Sequence, residues 1–397
     1  MSHSDKMWVK KDLPVRVQNL GFILLGAGLA AGIAGLFIDS HRFLMNYLIG
    51  FMLLVSVGAG SLFLVALEYI AGADWSVPVR RINEFYAASV LFIIVLAVPI
   101  LLNMESVFHW AQPQAVSEDK ILKWKAPYLD TTFFIIRILI AGGLWSLFYG
   151  LLSRNSKTQD LTKDQTLTRK NIVLSAIFVP LFAITVSVVS IDWLMSVEPH
   201  WFSTIYGVYF FSGSVLAALS MVTYTTVWLK EHGYLHPRMT NDHLFSLGAL
   251  LFAFINFWAY IAFSQYLLIW YANLPEENFW FIQRWEGGWM IMSILLIIIH
   301  FLVPYSVLLS QPAKMDPKRL KFASLWILFA HAFDLYWLVM PSYHSEHSTG
   351  FFTYVLEFGF PVAAVGFLIL LFYFKTKKNN LVPIGDPKLD KSLNFRL

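Results

Sequence analysis

Residues 43–71 read FLMNYLIGFMLLVSVGAGSLFLVALEYIA, twenty-nine positions with a single charged side chain, Glu68. A helix rises about 1.5 Å per residue and a hydrocarbon core is about 30 Å thick, so about 20 apolar residues cross it and this stretch crosses with room to tilt. Working outward, nine further stretches pass the same test: 18–38, 84–103, 131–152, 172–193, 204–229, 243–271, 285–310, 320–341 and 351–374. The whole chain agrees with them. Of 397 residues, 57% are apolar and 14% charged, and mean hydropathy is +0.61. A soluble domain carries about a quarter charged residues, so this chain cannot cover a water-facing surface. The expected fold is an all-α integral membrane protein of ten transmembrane helices. Residues 1–17 form a cytoplasmic N-terminal segment, 18–374 the membrane domain and 375–397 a cytoplasmic tail. That tail is too polar to insert and suits anionic headgroups or a neighbouring subunit.

The spans define two faces, and charge distinguishes them. About 23 of the 29 Lys and Arg fall on the face that carries both chain ends, and about five, Arg42, Lys120, Lys123, Lys125 and Arg284, on the other. By the positive-inside rule the basic face is cytoplasmic. The opposite face collects Trp193, Trp201, Trp270, Trp280, Trp285, Trp289 and Trp337, as an interfacial aromatic belt or a docking surface for extramembrane partners. The first stretch follows Lys10, Lys11 and Arg16, exceeds a typical signal-peptide core and has no small-x-small cleavage pattern before Asp39. It is expected to be a retained helix.

Several classes of chemistry are excluded within this polypeptide. With no cysteine, thiolate-held iron-sulfur clusters, Cys-zinc sites, disulfides and CxxCH haem attachment are ruled out. No nucleotide-binding, serine-hydrolase or zinc-protease motif occurs, and no Lys/Arg-rich face with interleaved aromatics points to nucleic acid. No metal site is expected.

Ionisable groups at membrane depth are costly and mark function by default. His300 lies about 10 residues from the basic end of its helix and His331 about 11 from the basic start of the next, which puts both near the midplane. Asp334 stands one turn from His331 on the same face. This trio reads either as a buried proton relay or as a polar cluster that fixes helix register. Arg137 needs an acid, with Asp192 favoured and Glu357 the alternative. Glu68, followed by Asp74, is a candidate proton acceptor at the basic face, or a snorkelling interfacial carboxylate. Asn256, Tyr260, Ser264 and Gln265 recur at spacings near four and are expected to form one polar stripe, as interhelical glue or as the lining of a wet path. His109, His200, His344 and His347 fall in outer loops and are expected to be solvated. Pro180, Pro304 and Pro361 sit inside helices, and Pro304 frees a carbonyl near His300.

Three segments carry a resemblance: 190–214 (SIDWLMSVEPHWFSTIYGVYFFSGS), 258–289 (WAYIAFSQYLLIWYANLPEENFWFIQRWEGGW) and 75–86 (WSVPVRRINEFY). With the ten-helix plan, they make the chain resemble the ActF-type membrane subunits of bacterial alternative complex III, a quinol:cytochrome c oxidoreductase. More broadly it is similar to the NrfD-like family that includes the polysulfide reductase membrane anchor. The resemblance implies two four-helix bundles, helices 2–5 and 6–9, flanked by helices 1 and 10, in the bacterial inner membrane. It implies as partners a homologous quinol-binding membrane subunit, an iron-sulfur subunit, multihaem c-type cytochrome subunits and a terminal oxidase, with all haem c and iron-sulfur clusters in those partners. Quinone or menaquinone is the ligand it suggests. Two rival readings are a secondary transporter and a b-haem cytochrome ligated by His300 and His331.

Overall fold

The computed structural model describes residues 12–343 and 356–397. Among them ten helices are long and apolar enough to cross a membrane. We number them α1 (Val15–Leu36), α2 (Ser40–Ala71), α3 (Val77–Leu101), α4 (Thr131–Thr162), α5 (Thr166–Val197), α6 (Tyr206–Glu231), α7 (Asn241–Ala272), α8 (Trp289–Val307), α9 (Pro317–Ser342) and α10 (Gly359–Lys378). The ten-span expectation therefore stands. Helix ends depart from it where helices outlast their apolar stretch. α3 begins seven residues early, α4 runs ten residues further and α5 starts six residues early, because helical hydrogen bonding continues past the hydrocarbon edge where side chains such as Ser156 and Gln159 are buried against neighbours.

The contacts close into two rings. α2, α3, α4 and α5 pack in sequence and α5 returns to α2; α6, α7, α8 and α9 do the same, with α9 returning to α6. α2 and α6 pack against each other between the rings, and they are the two most enclosed spans. The two-bundle arrangement is as expected.

α1 and α10 form a flanking pair against the outside of α2. Small residues bring their backbones together. A methyl group on Gly28 would lie 2.4 Å from Ala363 N, and one on Gly359 2.5 Å from Gly32 N. Small residues four apart on facing helices permit this approach, where dispersion and close backbone contact replace a hydrophobic driving force.

Residues after α10 fold back across the basic face. Asp160 on α4 accepts from the Gly385 amide at 3.2 Å, Arg80 pairs with Asp386 at 2.5 Å, and Lys388 Nζ donates to Gly72 O at 2.7 Å. Lys391 pairs with Asp74 at 2.5 Å. The segment ends on the second bundle, where the His243 ring lies 2.8 Å from Ser392 O. Asp74, Asp160 and Arg80 supply the matching charges that hold the tail on this face.

Candidate functional site

The trio read from the sequence comes together in the second bundle. His331 and Asp334 on α9 and His300 on α8 are all buried, and they offer ligand atoms that lie within 4.8 Å of one another. The imidazole rings are 6.4 Å apart at 69°. His300 sits in a π-helical turn, Ile298–Leu302, just before Pro304, and the Trp326 indole caps the Ile299 carbonyl at 2.8 Å. Such single π turns bulge a helix locally and recur at functional positions. Gly213 on α6 makes room for the second ring: a methyl there would lie 2.9 Å from His331 Cε1.

Two residues complete the centre. The Tyr209 hydroxyl on α6 donates to Asp334 Oδ1 at 2.5 Å, and the Trp258 indole N–H on α7 donates to Oδ2 at 3.2 Å. Trp258 also stacks on His300, with ring centroids 3.7 Å apart. Side chains of α6 and α7 thus hold the α9 carboxylate, with His300 of α8 close by. Both nitrogens of His300 and both of His331 lack a hydrogen-bond partner among the described residues. Unpaired buried polar atoms cost about 1–3 kcal/mol each, so four together mark a place built for water or an ion. Two imidazoles and a carboxylate are also a donor set suited to a divalent transition metal.

A cavity of about 370 Å³ adjoins the centre toward the Trp-rich face. Its walls are mainly aromatic, among them Trp280, Trp285 and Phe301, and Tyr209 and Trp258 line it too. The same two side chains therefore face the cavity and hold Asp334. Gln265 lines it as well; the residue is buried and its amide nitrogen has no hydrogen-bond partner among the described residues.

The expected polar stripe divides. Gln265 reaches the cavity, whereas Tyr260 is 66% exposed on the lipid side and Asn256 returns its amide to Phe252 O at 2.6 Å. Nine residues at about 100° each place Asn256 and Gln265 on opposite sides of α7. The two steps of four drift by about 40° each and the single step from Ser264 to Gln265 adds about 100°, so the four positions do not share one face.

The charged pairs are distributed differently from expectation in one respect. Arg137 takes Asp192 at 2.6 Å, with Tyr128 donating to the other carboxylate oxygen at 3.0 Å. Glu357 belongs instead to Arg42 in the first turn of α2 and to Tyr336, which donates to it at 2.6 Å. Removing one partner of a buried pair strands the other charge, at a cost of about 3–5 kcal/mol. Arg137→Leu is thus expected to lower the thermal unfolding midpoint sharply, and Arg137→Leu with Asp192→Leu to recover most of the loss. A double variant as unstable as the single one would show that the pair itself supplies the stability.

Glu68 is not part of the second-bundle centre. It is buried and paired with Arg80 at 2.6 Å, which Asp386 caps from the tail. Arg81 bridges Glu84 at 2.8 Å and Asp160 at 2.7 Å. The sequence reading placed Arg80 and Arg81 in a loop because the apolar stretch begins only after them. The i, i+3 spacing of Arg81 and Glu84 on an incipient helix is the signal that finds the second of them. Arg284 was likewise counted as a loop charge, yet it is fully buried. It donates to Trp280 O, Trp337 O and Leu338 O at 3.0, 3.3 and 2.8 Å and lies over the Trp280 ring at 3.4 Å. Among the described residues it has no carboxylate partner.

The aromatic belt is real only in part. Trp193, Trp201, Trp280 and Trp337 are buried, while Trp270 and Trp285 are exposed; Trp201 stacks on Trp280 at 4.3 Å. His200 is held by Asp119 at 2.6 Å rather than by solvent alone. His344 and His347 lie outside the described residues.

No protein-family model matches the chain, and no curated protein matches it.

Proposed function

We propose that this integral membrane protein is the subunit without redox centres of a quinol-oxidising respiratory complex of the alternative complex III type. It would sit in the bacterial inner membrane with both chain ends cytoplasmic, and its second bundle would carry protons through Asp334, His331 and His300. The observation that supports this most directly is the buried centre itself. A carboxylate held by Tyr209 and Trp258 stands beside two imidazoles whose nitrogens have no hydrogen-bond partner among the described residues, at a depth where ionisable groups are expensive. Imidazole and carboxylate exchange protons through hydrogen bonds or intervening water. Glu68 falls outside this path, because Arg80 and the tail enclose it.

The aromatic cavity supports the quinone part of the reading. Its flat indole walls, the unpaired Gln265 amide and the Tyr209 hydroxyl suit a ring that carries carbonyl oxygens. Clusters and c-type haems belong to partners under this reading: an iron-sulfur subunit, multihaem cytochromes, a homologous membrane subunit and a terminal oxidase.

Two four-helix rings, the second enclosing a buried polar centre, also suit a secondary transporter. Purification through this chain in mild detergent separates the readings. Co-purified multihaem and iron-sulfur subunits with quinol-dependent cytochrome c reduction are the expected result. A lone, colourless and stable protein favours the transporter, and a b-type haem spectrum from the isolated chain favours the cytochrome.

A further inference from the structure

A second cavity, about 540 Å³, lies on the basic half of the protein between the α1/α10 pair and the second bundle. Its deep walls are mainly apolar: Leu20 of α1, Leu328 of α9, and Ile369 and Phe372 of α10 line it, while Tyr86 and Thr225, which line it too, are hydrogen-bonded to each other at 2.7 Å. Among the described residues, its one cation and an imidazole stand at the mouth. Arg16 lines it at the start of α1 and His232 just beyond the end of α6. Arg16 is exposed and makes no ion pair among the described residues. Further in, Ser324 also lines the groove. Its residue is 1% exposed, and its hydroxyl has no hydrogen-bond partner among the described residues.

The dimensions follow from the helices. Along α6 the groove runs from His232 to Met221, eleven residues or about 16 Å at 1.5 Å each. That is about half of a 30 Å hydrocarbon core, the depth of one leaflet. Ser324 lies seven residues inside the start of α9, about 10 Å in. A cationic mouth at headgroup level, a hydroxyl donor below it and an apolar channel one leaflet deep describe the complement of a phospholipid. The cation selects its charge, since basic pockets between membrane helices attract anionic headgroups.

We propose that this groove is a specific site for one anionic phospholipid of the basic-face leaflet. Arg16 and His232 meet its phosphate, the Ser324 hydroxyl donates to a glycerol ester carbonyl, and an acyl chain lies along Leu20, Leu328, Ile369 and Phe372. The lipid thereby fills the gap between the flanking pair and the second bundle.

The test uses the full chain with whatever subunits accompany it, delipidated in detergent and titrated with phosphatidylglycerol or phosphatidylcholine. Bound lipid is counted by native mass spectrometry and the unfolding midpoint is followed. One phosphatidylglycerol per chain, a saturable rise in midpoint and little response to phosphatidylcholine are expected. Arg16→Gln should weaken phosphatidylglycerol binding about five-fold, in line with about 1 kcal/mol per basic residue near an anionic surface, and Arg16→Lys should restore it. Leu328→Trp, which fills the channel, should abolish the bound lipid in a chain that still folds. Equal binding of the two lipids, an Arg16→Gln variant that binds unchanged, or an isoprenoid quinone retained in place of the phospholipid would each overturn the assignment.

Discussion

Asp334→Leu in the assembled complex is expected to lower the protons translocated per electron while quinol-dependent electron transfer continues. A positioned acid-base group speeds proton transfer by about 100-fold or more, so its loss makes this route slower than turnover. Electron transfer continues because the clusters and haems are assigned to other subunits and Asp334 itself does not line the aromatic cavity. Asp334→Asn should uncouple as strongly, although its shape is kept. Its oxygen can still accept from Tyr209, but its NH₂ then faces the Trp258 N–H, and the stranded donors cost about 1–3 kcal/mol of stability. Tyr209→Phe removes one donor and leaves the carboxylate, so it should reduce coupling less. The measurement is proton release per electron in vesicles containing the intact complex. An unchanged ratio in Asp334→Leu, with all partners present, would reject the relay.

The second large effect is structural. Gly28→Leu is expected to separate α1 from α10, because even a methyl at Gly28 would lie 2.4 Å from Ala363 N and 2.5 Å from Gly359 O. Backbone cannot yield as a side-chain tip can, so the helices must part. Overpacking of this kind costs about 1–3 kcal/mol, and more when an interface built on close backbone contact is lost as a whole. Gly26 supplies an internal control on the same helix, since a methyl there meets nothing within 4 Å. Gly26→Leu should leave the unfolding midpoint unchanged or slightly raised by better helix propensity. If the two leucine variants behave alike, the close crossing of α1 and α10 contributes little.

The ten spans were legible because a bilayer imposes one length and one polarity on every crossing. His300, His331 and Asp334 were legible for the same reason, since charge at depth stands out against an apolar background. Arg137 with Asp192 followed from the need to neutralise a buried cation. What could not be read is whatever depends on rotation and on contact between distant helices. Tyr209 and Trp258 looked like ordinary aromatic residues, and only the crossing of α6 and α7 with α9 aims both at one carboxylate. Arg42, Arg80, Arg81 and Arg284 were assigned to loops by hydropathy, a measure that is blind to a charge buried beside its partner.

The folded-back tail has a consequence for biosynthesis. Residues 380–394 leave the ribosome after all ten helices, yet they supply the contacts that join α4 and the α2–α3 corner to the start of α7 across the basic face. Until they arrive, Arg80 and Asp160 hold only part of their final partners. The two bundles can insert and form in turn, but the clasp between them closes only after translation has passed the last membrane helix. A nascent chain halted at Lys378 would therefore carry the ten described crossings and still display an open, charged seam on its basic face.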